Sequence, residues 1–150
     1  MKRMVCGILA LVTALAIGCA LADQQVNLPD SRYAVAIPDG MAYDGPTPGT
    51  DEAFAYVSEQ LGLQISFLVY NAPGADLTSL MPGIQEKNPE KVELTTVGGI
   101  PMIVYRITAE DGAKCIGYIL QDGDTVQEIV FWYATQKAAD LSKMIMESIQ

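Results

Sequence analysis

Three groups of side chains in this sequence have the types and spacing to do chemistry. The first is acidic. Asp122, Asp124 and Glu128 fall close together, and hard cations such as calcium draw their ligands from carboxylate oxygens. The order of an EF-hand loop is missing, however, and Asp122-Gly123-Asp124 is accounted for by a hairpin turn, so no metal site is expected. The second group, Asp39, Asp44, Asp51 and Glu52, flanks a loop rich in proline and glycine. Such charge is ordinarily solvated, and a ligand-binding role for Tyr43 and Asp44 is the alternative reading. The third group is the aromatic triplet Phe131, Trp132 and Tyr133. On a strand, Trp132 must face away from its two neighbours. Core packing is the usual fate of such residues. If one sheet face is incompletely covered, Trp132 or Tyr133 instead lines a groove for a peptide or small ligand. Trp132, Tyr133, Tyr43 and Asp44 are therefore the candidate ligand-binding residues.

The sequence contains no histidine. That removes Ser-His and Cys-His catalysis, histidine-ligated zinc and histidine pH switching together. No G-x-S-x-G, G-x-G-x-x-G or P-loop pattern occurs, so no catalytic residue is assigned and no cofactor is expected. The enzymatic alternative is a hydrolase working with carboxylates alone. It needs two Asp or Glu side chains converging in a cleft, one of them partly desolvated.

The positions of these residues depend on the elements that carry them. The most legible stretch is 113–150. Asp122-Gly123 lies between two apolar runs, 115–120 and 126–133, and an Asp-Gly pair readily supplies the positive φ of a short hairpin. Both runs are apolar on both faces: Ile116, Tyr118 and Leu120 alternate with Cys115 and Ile119, and Ile129, Phe131 and Tyr133 with Val130 and Trp132. A half-solvated sheet shows polar residues at every second position, so these strands are expected at the centre of a sheet covered on each side. A helix over 136–149 follows, with Thr135 as N-cap. Ala138, Leu141, Met144, Ile145 and Ile149 fall on its apolar side and Asp140, Lys143 and Glu147 on the other.

Upstream, residues 1–22 read as an export signal. Lys2 and Arg3 precede an apolar run over 5–17, and Ala20-Leu21-Ala22 supplies a small-x-small cleavage pattern before Asp23. The run is short for a membrane span, and no other segment reads as one. Ala16-Ile17-Gly18-Cys19 loosely matches a bacterial lipoprotein processing site, which leaves a lipid anchor at Cys19 as the alternative. Without the first 22 residues, 128 of the 150 remain, enough for one domain with a real core. The chain has 9 basic and 18 acidic residues; with Lys2 and Arg3 set aside the remainder carries −11. Such acidity argues against nucleic acid and anionic lipid. Cys115 is the one cysteine beyond residue 22, so no internal disulfide is expected, and its apolar strand suits a small buried hydrophobe.

Residues 23–31 read as a lead-in and 32–37 as the first strand, ended by Pro38-Asp39-Gly40. Residues 41–51 read as a loop, and 53–58 and 63–70 as two further strands. Asp76 is placed to cap a helix through Leu77, Leu80 and Met81, which Pro82-Gly83 either ends or kinks. Strands over 92–97 and 101–108 precede the final hairpin. Strands in sequence-adjacent runs favour an antiparallel sheet with helices on its faces.

Ile37-Pro38-Asp39-Gly40, Val97-Gly98-Gly99-Ile100-Pro101, Gly117-Tyr118-Ile119-Leu120, Glu128-Ile129-Val130-Phe131 and Met146-Glu147-Ser148-Ile149 together resemble the PsbP-like fold group of small exported proteins. The resemblance implies an α+β fold: an α/β/α sandwich around an antiparallel sheet of about six or seven strands. It carries no catalytic motif, so it assigns no functional residue, and neither photosystem nor Ran binding is implied. The expectation is an exported, non-enzymatic domain that binds a protein or small-molecule partner.

Overall fold

The organising element is the hairpin of β8 (Lys114–Asp122) and β9 (Thr125–Tyr133). In the computed structural model, which describes residues 23–46 and 53–150, Asp122 pairs directly with Thr125, so the two turn residues are Gly123 and Asp124. Gly123 takes φ +64 at the first turn position, where a type II′ hairpin needs glycine. The Asp-Gly turn expected from sequence is thus shifted by one residue. Asp122 belongs to the strand, and its carboxylate is free to bind elsewhere.

Among the described residues nine strands precede or form this centre. β1 (Asp23–Asn27) and β2 (Ala34–Pro38) make a two-stranded ribbon. The other seven form one antiparallel sheet in the order β3-β4-β5-β9-β8-β7-β6, where β3 is Ala42–Pro46, β4 Phe54–Ser58, β5 Leu63–Asn71, β6 Lys91–Val97 and β7 Ile100–Thr108. β9 is paired along its whole length to β5 on one side and β8 on the other. That explains why neither of its faces carries the polar alternation of an edge strand.

Two expected loops are strands. Residues 23–27 of the lead-in pair with β2, and residues 42–46 of the proline–glycine loop pair with β4. Neither has strong intrinsic strand preference; hydrogen bonding to a committed neighbour supplies it. As an edge strand, β3 tolerates Pro46 and a register shift at Gly45, which sits at φ +77. The first strand starts at Ala34 rather than at Arg32. The expected export signal at 1–22, Cys19, and loop residues 47–51 with Glu52 lie outside the described residues.

The helices take opposite faces. α1 (Leu77–Gln85) begins in a reciprocal capping box between Asp76 and Ser79 and runs on through Pro82, so of the two expected outcomes Pro82-Gly83 does not end the helix. Its Ile84 packs with Ile103, Tyr105, Cys115, Ile119, Val126 and Val130. α2 (Gln136–Glu147), capped by Thr135, and the β1–β2 ribbon cover the other face. There Ile37, Ile65, Phe67, Met102, Leu120, Ile129 and Phe131 are fully buried. Backbone bonds between Ala34 and Gln150 clamp the chain end to β2.

The buried side of α2 differs from the sequence expectation. Ala138, Ala139, Ser142, Ile145 and Met146 face inward, Leu141 lies at the margin and Met144 is 65% exposed. Small residues thus share the buried stripe with Ile145 and Met146, and Ser142 satisfies its hydroxyl on the Ala139 carbonyl at 2.7 Å.

Candidate functional site

The end of the sheet at the C-terminus of β9 is open. β4 ends there at Ser58, β5 begins at Leu63, β8 begins at Lys114, and β9 runs out into the cap of α2. These ends enclose an open groove of about 630 Å³, walled by Trp132 and Tyr133 and bordered by Glu59, Gln64, Lys114 and Gln136. Strand alternation puts Trp132 opposite Gln64 and Cys115, on the α1 side, and Tyr133 opposite Leu63 and Lys114, on the α2 side. Both rings are half-buried. α1 stops over β7 and β8, so Trp132 packs at the margin of that core with part of its indole left to the groove.

The structure brings Trp132 and Tyr133 to one groove and leaves Tyr43 and Asp44 apart from it. Tyr43 and Asp44 sit on β3, three strand positions or about 14 Å from β9. Tyr43 lies edge-on to Tyr56 at 5.6 Å between centroids and is 59% exposed. Its cluster with Phe54 and Phe67 belongs to the α2 side.

The acidic trio is likewise pulled apart. Asp122 turns toward the β1–β2 connection, where it accepts hydrogen bonds from the Arg32 backbone N–H at 2.9 Å and the Ser31 hydroxyl at 2.8 Å, with the Arg32 guanidinium at 3.3 Å. The Arg32 N–H first, then the Ser31 hydroxyl and the guanidinium charge, hold its carboxyl below the usual range. Asp124 is exposed in the turn.

Glu128 is a feature that motif reading missed. It is only 5% exposed, on the α1 side of β9. Tyr105 donates its hydroxyl to Oε1 at 2.5 Å and Tyr70 to Oε2 at 2.7 Å, while Lys87 Nζ stands 3.5 Å from Oε1 and over the Tyr105 ring. Burial, reinforced by the Glu128 charge, pushes both phenols well above their ordinary range. The phenols are therefore donors, and the carboxylate anchors β5, β7 and the end of α1 to β9. The sequence signal was present: Gln127-Glu128 interrupts a run otherwise apolar on both faces. Such an interruption in a central strand requires buried polar partners. Among the described residues no helix is long and apolar enough to cross a membrane.

No protein-family model matches the chain, and no curated protein matches it significantly. Its fold does have solved counterparts. A protein from Bacteroides thetaiotaomicron superposes with TM-score 0.65 at 11% identity, over 85% of this chain and 47% of the other. Cyanobacterial PsbP (CyanoP) from Synechocystis superposes with TM-score 0.60 at 13% identity, over 87% of this chain and 92% of the other. The chain thus spans about half of the first protein and nearly all of the second. The fold is PsbP-like.

Proposed function

We propose that this chain is an exported, non-enzymatic domain that binds a small-molecule or protein partner in the groove beside Trp132, in an accessory role in the envelope or extracellular space. The observation that supports this reading is the groove itself. A space of about 630 Å³ falls within the range that holds one small ligand. Its indole wall offers a large apolar area with a single donor, which suits recognition. The PsbP-like scaffold is compatible with such a role. The buried acid, Glu128, has both oxygens taken by phenols, so it serves as an anchor rather than as an acid or base facing the groove. Residues 1–22 would act as the export signal, delivering a domain of charge −11.

Trp132 is the only tryptophan, and it reports on this proposal alone. Acrylamide should quench its emission, and a genuine ligand should shift that emission and protect it from quenching. A blue-shifted emission that acrylamide cannot reach would assign the indole wholly to the core and remove the groove reading. Export has its own check: the intact mass of protein recovered outside the cytoplasm should correspond to a start at Asp23. A mass retaining residues 1–22 would refute the signal.

A further inference from the structure

We infer that the Trp132 groove joins a second cleft to form one site selective for a small aromatic carboxylate. This rests on the groove reading above and narrows it to a chemical class. The second cleft, of about 210 Å³, lies between α2 and the sheet, and its lining includes Arg106, Tyr118 and Lys143. Tyr133 and Gln136 line both spaces, so the two lie side by side.

The placement of positive charge carries the inference. Beyond residue 22 the chain has seven basic residues against 18 acidic ones. Arg32, Lys87 and Lys91 are held by Asp122, Glu128 and Glu93 at 3.3, 3.5 and 2.9 Å. Lys143 has only a long, exposed contact of 3.8 Å with Glu147. Arg106 and Lys114 make no ion pair among the described residues. Arg106 pairs in register with Ile116, and Lys114 lies two residues along the same face of β8. Their Cα atoms therefore stand diagonally at about 7–8 Å. In a chain this acidic, two uncompensated cations side by side on one sheet face, with Lys143 across the cleft, reverse the local field.

The opposing groups are Asp140, whose carboxylate accepts from Gln136 Nε2 at 2.9 Å, Glu59 on the far border of the larger groove, and Glu147, outside the lining but 3.8 Å from Lys143. Lining cations still outnumber lining carboxylates, and a concave low-dielectric wall focuses that excess. The Arg106 guanidinium fits a carboxylate through paired N–H donors. On the same face the Tyr133 ring supplies an apolar wall for a planar body, and the Trp132 indole, on the opposite face at the sheet end, borders the larger groove into which that body extends. The space holds one small molecule and no extended polymer.

The test uses the single indole N–H signal of the ¹⁵N-labelled protein. Naphthalene-2-carboxylate should move that signal saturably, and the neutral naphthalen-2-ylmethanol should bind at least about tenfold more weakly, the scale of one charge-assisted contact. Arg106→Gln and Lys114→Gln should each weaken the carboxylate by about threefold to tenfold while leaving alcohol binding unchanged. Lys137→Gln, on the exposed side of α2, is the control and should change nothing. All three are surface substitutions whose folding is checked by thermal melts. Equal binding of acid and alcohol would overturn the inference while leaving the groove reading intact. Indifference of acid binding to both Arg106→Gln and Lys114→Gln would also overturn it. A silent indole with either compound would overturn both.

Discussion

Replacing Gly117 by alanine tests the arrangement around Glu128 with the addition of a single methyl group. Gly117 opposes Tyr105 across the β7–β8 ladder, and the Tyr105 ring lies over it so closely that a Cβ there would fall well inside van der Waals contact with Cζ, Cε1 and Oη. That ring cannot simply step aside. It is 3% exposed, packed under Ile84 of α1, and tied to Glu128 at 2.5 Å. Overpacking a core of this kind costs about 1–3 kcal/mol, and withdrawing the hydroxyl from a buried carboxylate adds about 1.5–3 kcal/mol. Because the two strains partly relieve each other, Gly117→Ala should lower stability by roughly 2–5 kcal/mol, read from urea unfolding. In a Tyr105→Ala background the added methyl meets empty space. The same change should then be neutral, or stabilising by about 0.5–1 kcal/mol, since alanine loses less backbone entropy than glycine in a strand. A cost that is the same in both backgrounds, or absent from the wild type, would refute the claim that Tyr105 makes glycine necessary.

Other outcomes follow from packing and charge. Ile145→Ala should cost about 2–4 kcal/mol, Leu141→Ala less than about 1.5 kcal/mol, and Met144→Ala within about 0.5 kcal/mol. Denaturant midpoints giving Met144 the larger effect would show that α2 is rotated differently. Asp122 is held below its ordinary range in the folded state, so its contribution is complete above the unfolded value of about 4 and fades as pH falls through the folded one. The stability gap between the wild type and Asp122→Asn should therefore be full at pH 7 and narrower at pH 3; an equal gap at both would mean that the Arg32 and Ser31 contacts do not stabilise the carboxylate form.

Local chemistry determined much of this protein. The doubly apolar runs that became β8 and β9 required central positions, because only a strand covered on both faces can bury both sets of side chains. Thr135 and Asp76 fixed where the helices begin, since each supplies an acceptor for otherwise unpaired backbone N–H groups. The strand period set Trp132 and Tyr133 on opposite faces before any partner was known. What the sequence left undecided depended on residues far apart in the chain. β1 and β3 are strands because β2 and β4 lie beside them. Which stripe of α2 is buried was decided by packing: Ser142 lies inside beside Ile145 and Met146, its hydroxyl satisfied within the helix. Asp122 and Glu128, read as one acidic group, lie on opposite sides of the sheet, since Asp122 pairs with Thr125 and Glu128 lies three positions, an odd number, further along β9. The groove exists only where the ends of β4, β5, β8, β9 and α2 meet, and no local pattern specifies which strand ends become neighbours. That adjacency was decided when β9 paired between β5 and β8.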